Sequence, residues 1–254
     1  MQHPRRILGK SKAIDYAATQ AFFEERGIRE YDTVLSTTMY QDKDPKLVEL
    51  RDRYEKANIA GLLNLYETKN VFDIGCGIGR WGWFFAEQFE KIDYLGIDFS
   101  SSLIGKAKQE SMKLGFTNLR FQVMSAIEMQ SEKLILYPPY DLILLSGLLI
   151  YLNDSDCLSV LKNAASFCAP GGKIYLREPV GIAKRVTLDK FYSIELSHEY
   201  SAIYRTIDEL NSFYDVTLYS NNFIRKESGF LFPNEMEKRK ETRQYFSIFQ
   251  KGFS

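Results

Sequence analysis

Histidine is nearly missing from this chain: its 254 residues include two, His3 and His198. Cysteine is scarce as well, with only Cys76, Cys157 and Cys168, and no two of them are spaced as CxxC. An odd number without paired spacing excludes a disulfide framework and a zinc site, and reads as free thiols in a reducing compartment. Net charge is absent too, since 33 Lys+Arg balance 33 Asp+Glu. No overall field therefore draws the chain to nucleic acid or to an anionic membrane. The longest apolar stretch, LILLSGLLIYL at 142–152, falls far short of the roughly 20 residues a helix needs to cross a bilayer. The N-terminal MQHPRRILGK is basic but has no apolar core, so no secretory signal is expected. Repeats and low-complexity tracts are also lacking. These absences lead us to expect a cytoplasmic protein with no metal, no nucleic-acid partner and no membrane span.

What is present is ordinary globular composition, 45% apolar and 26% charged, enough for one large domain with a lid or an insertion. Apolar residues at three- and four-residue spacing predict helices over 12–30 and 46–67, the second opened by Asp44 as N-cap and Pro45 at the first helical position. From 70 onward short apolar runs alternate with helical stretches. The runs are VFDIG, DYLGID at 93–98, LRFQVM at 119–124, YDLILLS at 140–146 and GKIYLREP at 172–179. Helices are expected between them at about 80–90, 101–114 and 155–169. This alternation predicts a doubly wound α/β sheet, parallel and covered on both faces, with ligands at the carboxyl ends of its strands. Residues 180–213 carry charges and tyrosines without a clear strand, and two further strands are expected at 214–223 and 242–251. The chain then divides into a lid segment (1–45), a core (46–179), an insertion (180–213) and a closing hairpin (214–254).

The run VFDIGCGIGR at 71–80 is a glycine-rich turn after a strand. A dinucleotide site wants GxGxxG, and here Gly75 and Gly77 match while Arg80 stands at the third position. Asp73 lies two residues before the first glycine. A carboxylate there repels a pyrophosphate and favours a cationic ligand, and S-adenosylmethionine carries both a sulfonium and an ammonium. A turn that binds nothing is the other reading. Asp98, at the end of the DYLGID run, is placed to accept both hydroxyls of a ribose. It could equally cap the next helix, a task open to Ser100 as well.

Taken together, DIGCGIGR, the aspartate after the second run, YDLILLSGLLIYL and LKNAASFCAPGGKIYLREP resemble the class I S-adenosylmethionine-dependent methyltransferases over roughly 46–179. The resemblance implies a Rossmann-like seven-stranded sheet, parallel with one antiparallel strand near its edge. It also implies S-adenosyl-L-methionine as cofactor. Asp73, Gly75 and Gly77 are carried over to its methionine part and Asp98 to its ribose, with Phe99 beside it. Where many relatives bind adenine through an aspartate, this chain has Ser125 and Ala126. Where many carry a histidine in a leucine-rich turn, it has Leu149-Ile150-Tyr151. Ser146 and Leu148 are expected to line the methionine pocket.

For the acceptor, methyl transfer needs alignment more than covalent help, and a hydroxyl acceptor needs a base besides. No Asn-Pro-Pro-Tyr tetrad follows the fourth run, because PPY at 138–140 precedes it. His198, in SHEYSAIYRT, is one candidate base; a surface histidine beside Glu199 is the plainer reading. Glu178 is the other, unless it simply pairs with Arg177 or Arg185. Tyr151, Tyr200, Tyr204 and Arg205 are candidate acceptor contacts, with Arg205 as an anion fork beside two tyrosines that share a helical face. Tyr40 and Asp42 belong to the lid. The expectation is O-methylation of a small polar acceptor, a sugar or glycan precursor, with N-methylation of an amine or peptide terminus as the alternative. An NAD-dependent oxidoreductase and a catalytically silent partner protein are alternatives of other kinds. The oligomeric state is left open.

Overall fold

The computed structural model describes residues 5–39, 43–89 and 91–253. The chain begins with a short strand, β1 (Arg5–Leu8), followed by helices α1 (Tyr16–Ile28) and α2 (Pro45–Ile59). Asp15 caps α1 by accepting from Ala18 N. Asp44 does the same for α2 through Leu47 N, with Pro45 in the first turn as expected. Five strands and three helices follow: β2 (Asn70–Ile74), α3 (Arg80–Gln88), β3 (Asp93–Asp98), α4 (Ser101–Lys113), β4 (Leu119–Val123), β5 (Tyr140–Ser146), α5 (Asp154–Phe167) and β6 (Cys168–Gly181). The strands β2 to β6 pair in parallel, and β2 and β5 are almost wholly buried, as continuous apolar runs between two helical layers must be.

Beyond β6 the chain forms β7 (Val186–Ser193), β8 (His198–Tyr204), α6 (Ile207–Thr217), β9 (Phe223–Phe230) and β10 (Thr242–Lys251). The main sheet has seven strands in the order β4-β3-β2-β5-β6-β10-β9, and β10 runs antiparallel to both neighbours. This is the Rossmann-like sheet with one reversed strand next to its edge. Among the described residues no helix is long and apolar enough to cross a membrane.

Two expectations need correction. The 180–213 stretch is not strandless: β7 and β8 make a hairpin that pairs with β1 in a separate three-stranded sheet, ordered β1-β7-β8. The supposed strand at 214–223 is the end of α6 and the turn after it. There Leu210, Tyr214, Thr217 and Leu218 are the buried residues, a helical spacing. A capping box between Thr206 and Glu209 starts this helix, and Asn222, at φ +61°, ends the turn that follows it. The β-branched residues of YDVTLY suggested a strand, but the cap and the burial pattern override that propensity.

Candidate active site

The turn between β2 and α3 is shaped by its glycines. Gly77 and Gly79 have φ of +56° and +80°, where a side chain is strained. A Cβ on Gly79 would come within 2.5 Å of the Phe121 ring, and one on Gly77 within 2.7 Å of the Thr38 methyl. The amides of Gly75 and Cys76 both donate to Ile97 O at 2.9 Å, which ties the turn to the end of β3. Asp98 completes the tie: one carboxylate oxygen accepts from Gly77 N and the other from Ser100 N, each at 3.0 Å. Burial pushes its pKa up to about 6. Ser100, meanwhile, is the N-cap of α4, accepting from Leu103 N. The helix-capping role weighed for Asp98 thus falls to Ser100.

Asp73 lies deeper. It is 2% exposed and accepts from the Tyr94 hydroxyl at 2.7 Å. Burial raises its pKa to about 7 despite that bond. Next to the turn, Arg80 is held by Asp52 at 2.9 Å, Glu55 at 2.7 Å and Ser146 Oγ at 3.0 Å. Burial pushes the Glu55 carboxyl up, but Arg80 and Arg177 outweigh it and keep it below the ordinary range. The arginine that replaces a third glycine therefore joins α2, α3 and the end of β5.

These turns open into a cavity of about 750 Å³ at the carboxyl ends of the strands, within the size range of ordinary ligand sites. Asp73, Gly75, Gly77, Asp98 and Phe99 line it, as do Ser125, Ala126, Ser146 and Leu148, so the structure brings all nine proposed cofactor residues to one space. Tyr151, Tyr200 and Tyr204 line it as well. Tyr40 and Asp42 lie outside the described residues.

Three expected site residues do not reach the cavity. His198 is partly exposed on β8, where its Nε2 lies 3.1 Å from Glu25 of α1 and its Nδ1 meets Glu199 O. Glu178 is 2% exposed and faces away from the cavity, accepting from the amides of Leu148 (2.9 Å), Leu149 (2.8 Å) and Ile150 (3.3 Å). Burial pushes its pKa up to about 7, against the pull of these donors. The alternative ion pairs for Glu178 do not form either. Arg177 turns to Gln244 and Glu55, and Arg185 to Asp154 and Glu209. Arg205 is buried against the same turn, donating to Leu149 O at 2.6 Å and Leu152 O at 2.7 Å and pairing with Asp154. Glu178 and Arg205 thus hold residues 148–152 together, Glu178 through the turn's amide donors and Arg205 through its carbonyl acceptors. Their work is to fix the turn that carries Leu148 and Tyr151.

The guanidinium beside the tyrosines is Arg239. Its Nη1 donates to Tyr204 Oη at 3.1 Å and its Nη2 to Tyr200 Oη at 3.2 Å, and the two hydroxyls are 3.2 Å apart. The tyrosines share a face because they lie four apart on strand β8, rather than on a helix. Arg239 comes from the charged connection between β9 and β10, MEKRKE at 236–241, which also sends Glu237 and Lys238 to the cavity, with Arg243 following at the start of β10. That run of charge was the available signal, but nothing in its spacing tells which way it folds. From the other wall α1 contributes Tyr16, also missed. Its hydroxyl donates to Asp156 and accepts from Asn153 N at 2.9 Å, and burial pushes its pKa up to about 12.

With this geometry in place, comparison with known proteins is decisive. The family model described as a methyltransferase domain matches residues 65–239. The chain belongs to this family. By family and fold it is a class I S-adenosylmethionine-dependent methyltransferase. Among curated relatives, this methyltransferase is 32% identical to phosphoethanolamine N-methyltransferase 1 of Caenorhabditis elegans over 124 residues, 49% of this chain and 24% of that protein. It is 31% identical to phosphoethanolamine N-methyltransferase 1 of Arabidopsis thaliana over 128 residues, 50% of this chain and 25% of that one. The matches span about a quarter of the length of these relatives. Among solved structures, phosphoethanolamine N-methyltransferase 1 of Haemonchus contortus, in complex with phosphoethanolamine and S-adenosylhomocysteine, superposes with a TM-score of 0.66. Identity there is 21%, over 93% of this chain and 48% of that one. The 1,6-didemethyltoxoflavin-N1-methyltransferase of Burkholderia thailandensis reaches 0.65 at 13% identity over 99% and 100% of the two chains. At those identities the structural likeness speaks for the fold.

Proposed function

We propose that the chain transfers the methyl group of S-adenosylmethionine to the nitrogen of a small amine that also carries an anion, phosphoethanolamine or a close analogue. The observation that carries this reading is Arg239 held between Tyr200 and Tyr204, in a wall that also presents Arg177, Lys238 and Arg243. A neutral alcohol or sugar offers such a wall nothing to neutralise, whereas a phosphate or carboxylate does. The named activity of the worm and plant relatives supports the same acceptor class. O-methylation with His198 or Glu178 as base loses its support, because neither side chain lines the cavity. A sugar or glycan acceptor loses support with it.

In this reading Asp73 faces the cationic donor, Gly75 and Gly77 let the backbone approach its methionine part, and Ser146 and Leu148 bound the sulfur. Asp98 takes the ribose hydroxyls, and Phe99, Ser125 and Ala126 flank the adenine. The acceptor anion sits on Arg239 and the two tyrosines, which leaves the amine near Tyr151 and Tyr16 and in line with the S–CH₃ bond. The ammonium must lose its proton before attack. A tyrosine with a pKa near 12 is a poor stationary base, but Tyr16 can accept that proton as it passes its own to Asp156. A small-molecule partner and a cytoplasmic setting, consistent with three reduced thiols, belong to the same proposal.

The test is methyl transfer to phosphoethanolamine, ethanolamine and a polyol, with products read by mass spectrometry. Methylation on the nitrogen of phosphoethanolamine, with ethanolamine much poorer, is expected. Transfer to the polyol alone, or equal use of the two amines, overturns the proposal.

A further inference from the structure

Asparagine is well suited to cap a helix, because its side-chain oxygen can accept from an amide of the first turn. Asn153 stands at that position before α5, yet its side chain makes no such bond. Its Oδ1 accepts instead from Ile14 N at 2.7 Å, in the segment that leads into α1. A backbone amide can only donate, so the side-chain oxygen must face it. The backbone amide of the same residue donates to Tyr16 Oη at 2.9 Å. Asn153 thus grips the entry to α1 at both Ile14 and Tyr16, from the far side of the sequence.

Its neighbours show what this grip controls. Tyr16 is the first residue of α1, and its hydroxyl also donates to Asp156 in the first turn of α5. Burial raises the pKa of that hydroxyl to about 12, while hydrogen bonds from the amide and the side chain of Asn153 pull the other way. Asn153 follows directly on the turn at 148–152, which Glu178 and Arg205 hold and whose Leu148 and Tyr151 line the cavity. Asn153 itself does not line the cavity. It therefore carries the fixed position of that turn over to the first turn of α1. The far end of α1 is secured separately. Glu24 accepts from Ser101 N at 2.7 Å and Ser102 N at 2.9 Å at the start of α4, and Arg26 donates to Thr37 O at 2.9 Å. Loss of the Asn153 side chain accordingly loosens the entry to α1 without detaching the helix.

We infer that Asn153 is a positioning residue for methyl transfer, which through Ile14 sets the place of the Tyr16 hydroxyl beside the reacting amine. This assignment rests on the proton-accepting role proposed for Tyr16, and not on the anion site at Arg239. It also accounts for the forgone cap. Asp154 and Asp156 already give the first turn of α5 the negative charge that a helix N-terminus favours, so the Asn153 side chain is free for the longer reach.

Steady-state kinetics on the full chain test this, with phosphoethanolamine or the analogue that it methylates. Asn153→Ala is expected to lower kcat about 10-fold, less than the roughly 100-fold that a misplacement of order 1 Å can cost. KM for donor and acceptor should stay as in the wild type, as should S-adenosylhomocysteine affinity by calorimetry. Asn153→Asp keeps an acceptor for Ile14 N and should recover most of the loss. In a Tyr16→Phe background Asn153→Ala should cost nothing further, because the hydroxyl that it places is gone. A tenfold loss that persists in that background makes Asn153 a general support of the fold and overturns the inference. So does a raised KM or weakened S-adenosylhomocysteine binding in place of a lowered kcat, a failure of Asn153→Asp to recover, or wild-type kcat in Asn153→Ala. A wild type that methylates no amine, or a Tyr16→Phe variant at wild-type kcat, removes the role of Tyr16 itself and the inference with it. Both results are separable from a failure at Asn153 alone.

Discussion

The proposed cofactor side of the cavity is built from turns that directly follow β2, β3, β4 and β5. The proposed acceptor side is built from pieces far apart in the chain: α1, β8 and the connection between β9 and β10. On the first side backbone geometry does the work, through positive-φ glycines and a carboxylate that binds two amides. On the second, long cationic side chains and tyrosine hydroxyls do it. The difference teaches that, in the proposed placement, the parallel sheet positions the donor as a direct consequence of its topology. The acceptor depends on how the segments added outside that sheet happen to fold.

This contrast can be broken or sharpened by substitution. The largest effect is expected at Asp98. Asp98→Ala removes the carboxylate that closes the glycine turn, and calorimetry should show S-adenosylhomocysteine binding weakened by about 100-fold or more, as expected when charged hydrogen bonds are lost together. Acceptor binding near Arg239 should survive. Slightly smaller is Tyr16→Phe, expected to lower kcat about 100-fold, the low end for a proton-transfer group, with KM for the donor unchanged. The converse of Asp98 is Arg239→Gln, which should raise KM for a phosphorylated amine about 10- to 30-fold through loss of charged hydrogen bonds, leaving S-adenosylhomocysteine affinity alone. If Arg239→Gln weakens the donor instead, the two sides are not separable.

A pH series probes the cofactor side by itself. The native pKa values of Asp73 (about 7) and Asp98 (about 6) lie above the ordinary carboxylate value because of burial. The unfolded chain therefore gives up these protons first, and their contribution to stability, full below about pH 4, is lost as the pH rises towards 7. The thermal midpoint of Asp73→Asn should accordingly gain on that of the wild type between pH 5 and 8. Binding of the cationic donor should tighten over the same interval in the wild type, and by less in the variant, where Asp98 alone still titrates. The smallest effect is expected at His198→Ala. It removes a partly exposed pair with Glu25, worth no more than about 1 kcal/mol. Turnover within twofold of wild type would confirm that this histidine stands outside the acceptor side.

The legibility of the two sides in the sequence differs for physical reasons. Glycine at a turn and unbroken apolar runs are local necessities of a parallel sheet, so the strands β2 to β6 could be placed by their pattern, and Gly75, Gly77 and Asp98 by the family resemblance that this pattern supports. Arg239 could not, because its partners Tyr200 and Tyr204 are joined to it only by tertiary folding. Arg205 had the right chemistry in the right neighbourhood but points into the turn at 148–152. Glu178 fooled the reading in a more instructive way. A carboxylate at the end of a strand can serve a substrate or the backbone, and the sequence does not reveal that three amides of the following turn already claim it. Strand β9 was displaced because β-branched residues outside a helix's buried face look the same as those of a strand.

The pairing of β1 with β7 has a consequence for the order in which the molecule forms. Residues 5–8 bond to 186–189, closing a loop of most of the chain, whereas in the parallel sheet β2–β3, β3–β4 and β5–β6 pair strands that follow one another, and the one crossover, β2–β5, joins residues no farther apart than Val71 and Leu142. Loop closure over such a separation is entropically the most demanding step and has the least local structure to guide it. The parallel sheet is therefore expected to form first, with the three-stranded sheet docking last and, by the same logic, exchanging its amide hydrogens soonest. Donor binding can then precede completion of the acceptor wall, since the glycine turn is in place before Tyr200 and Tyr204 are.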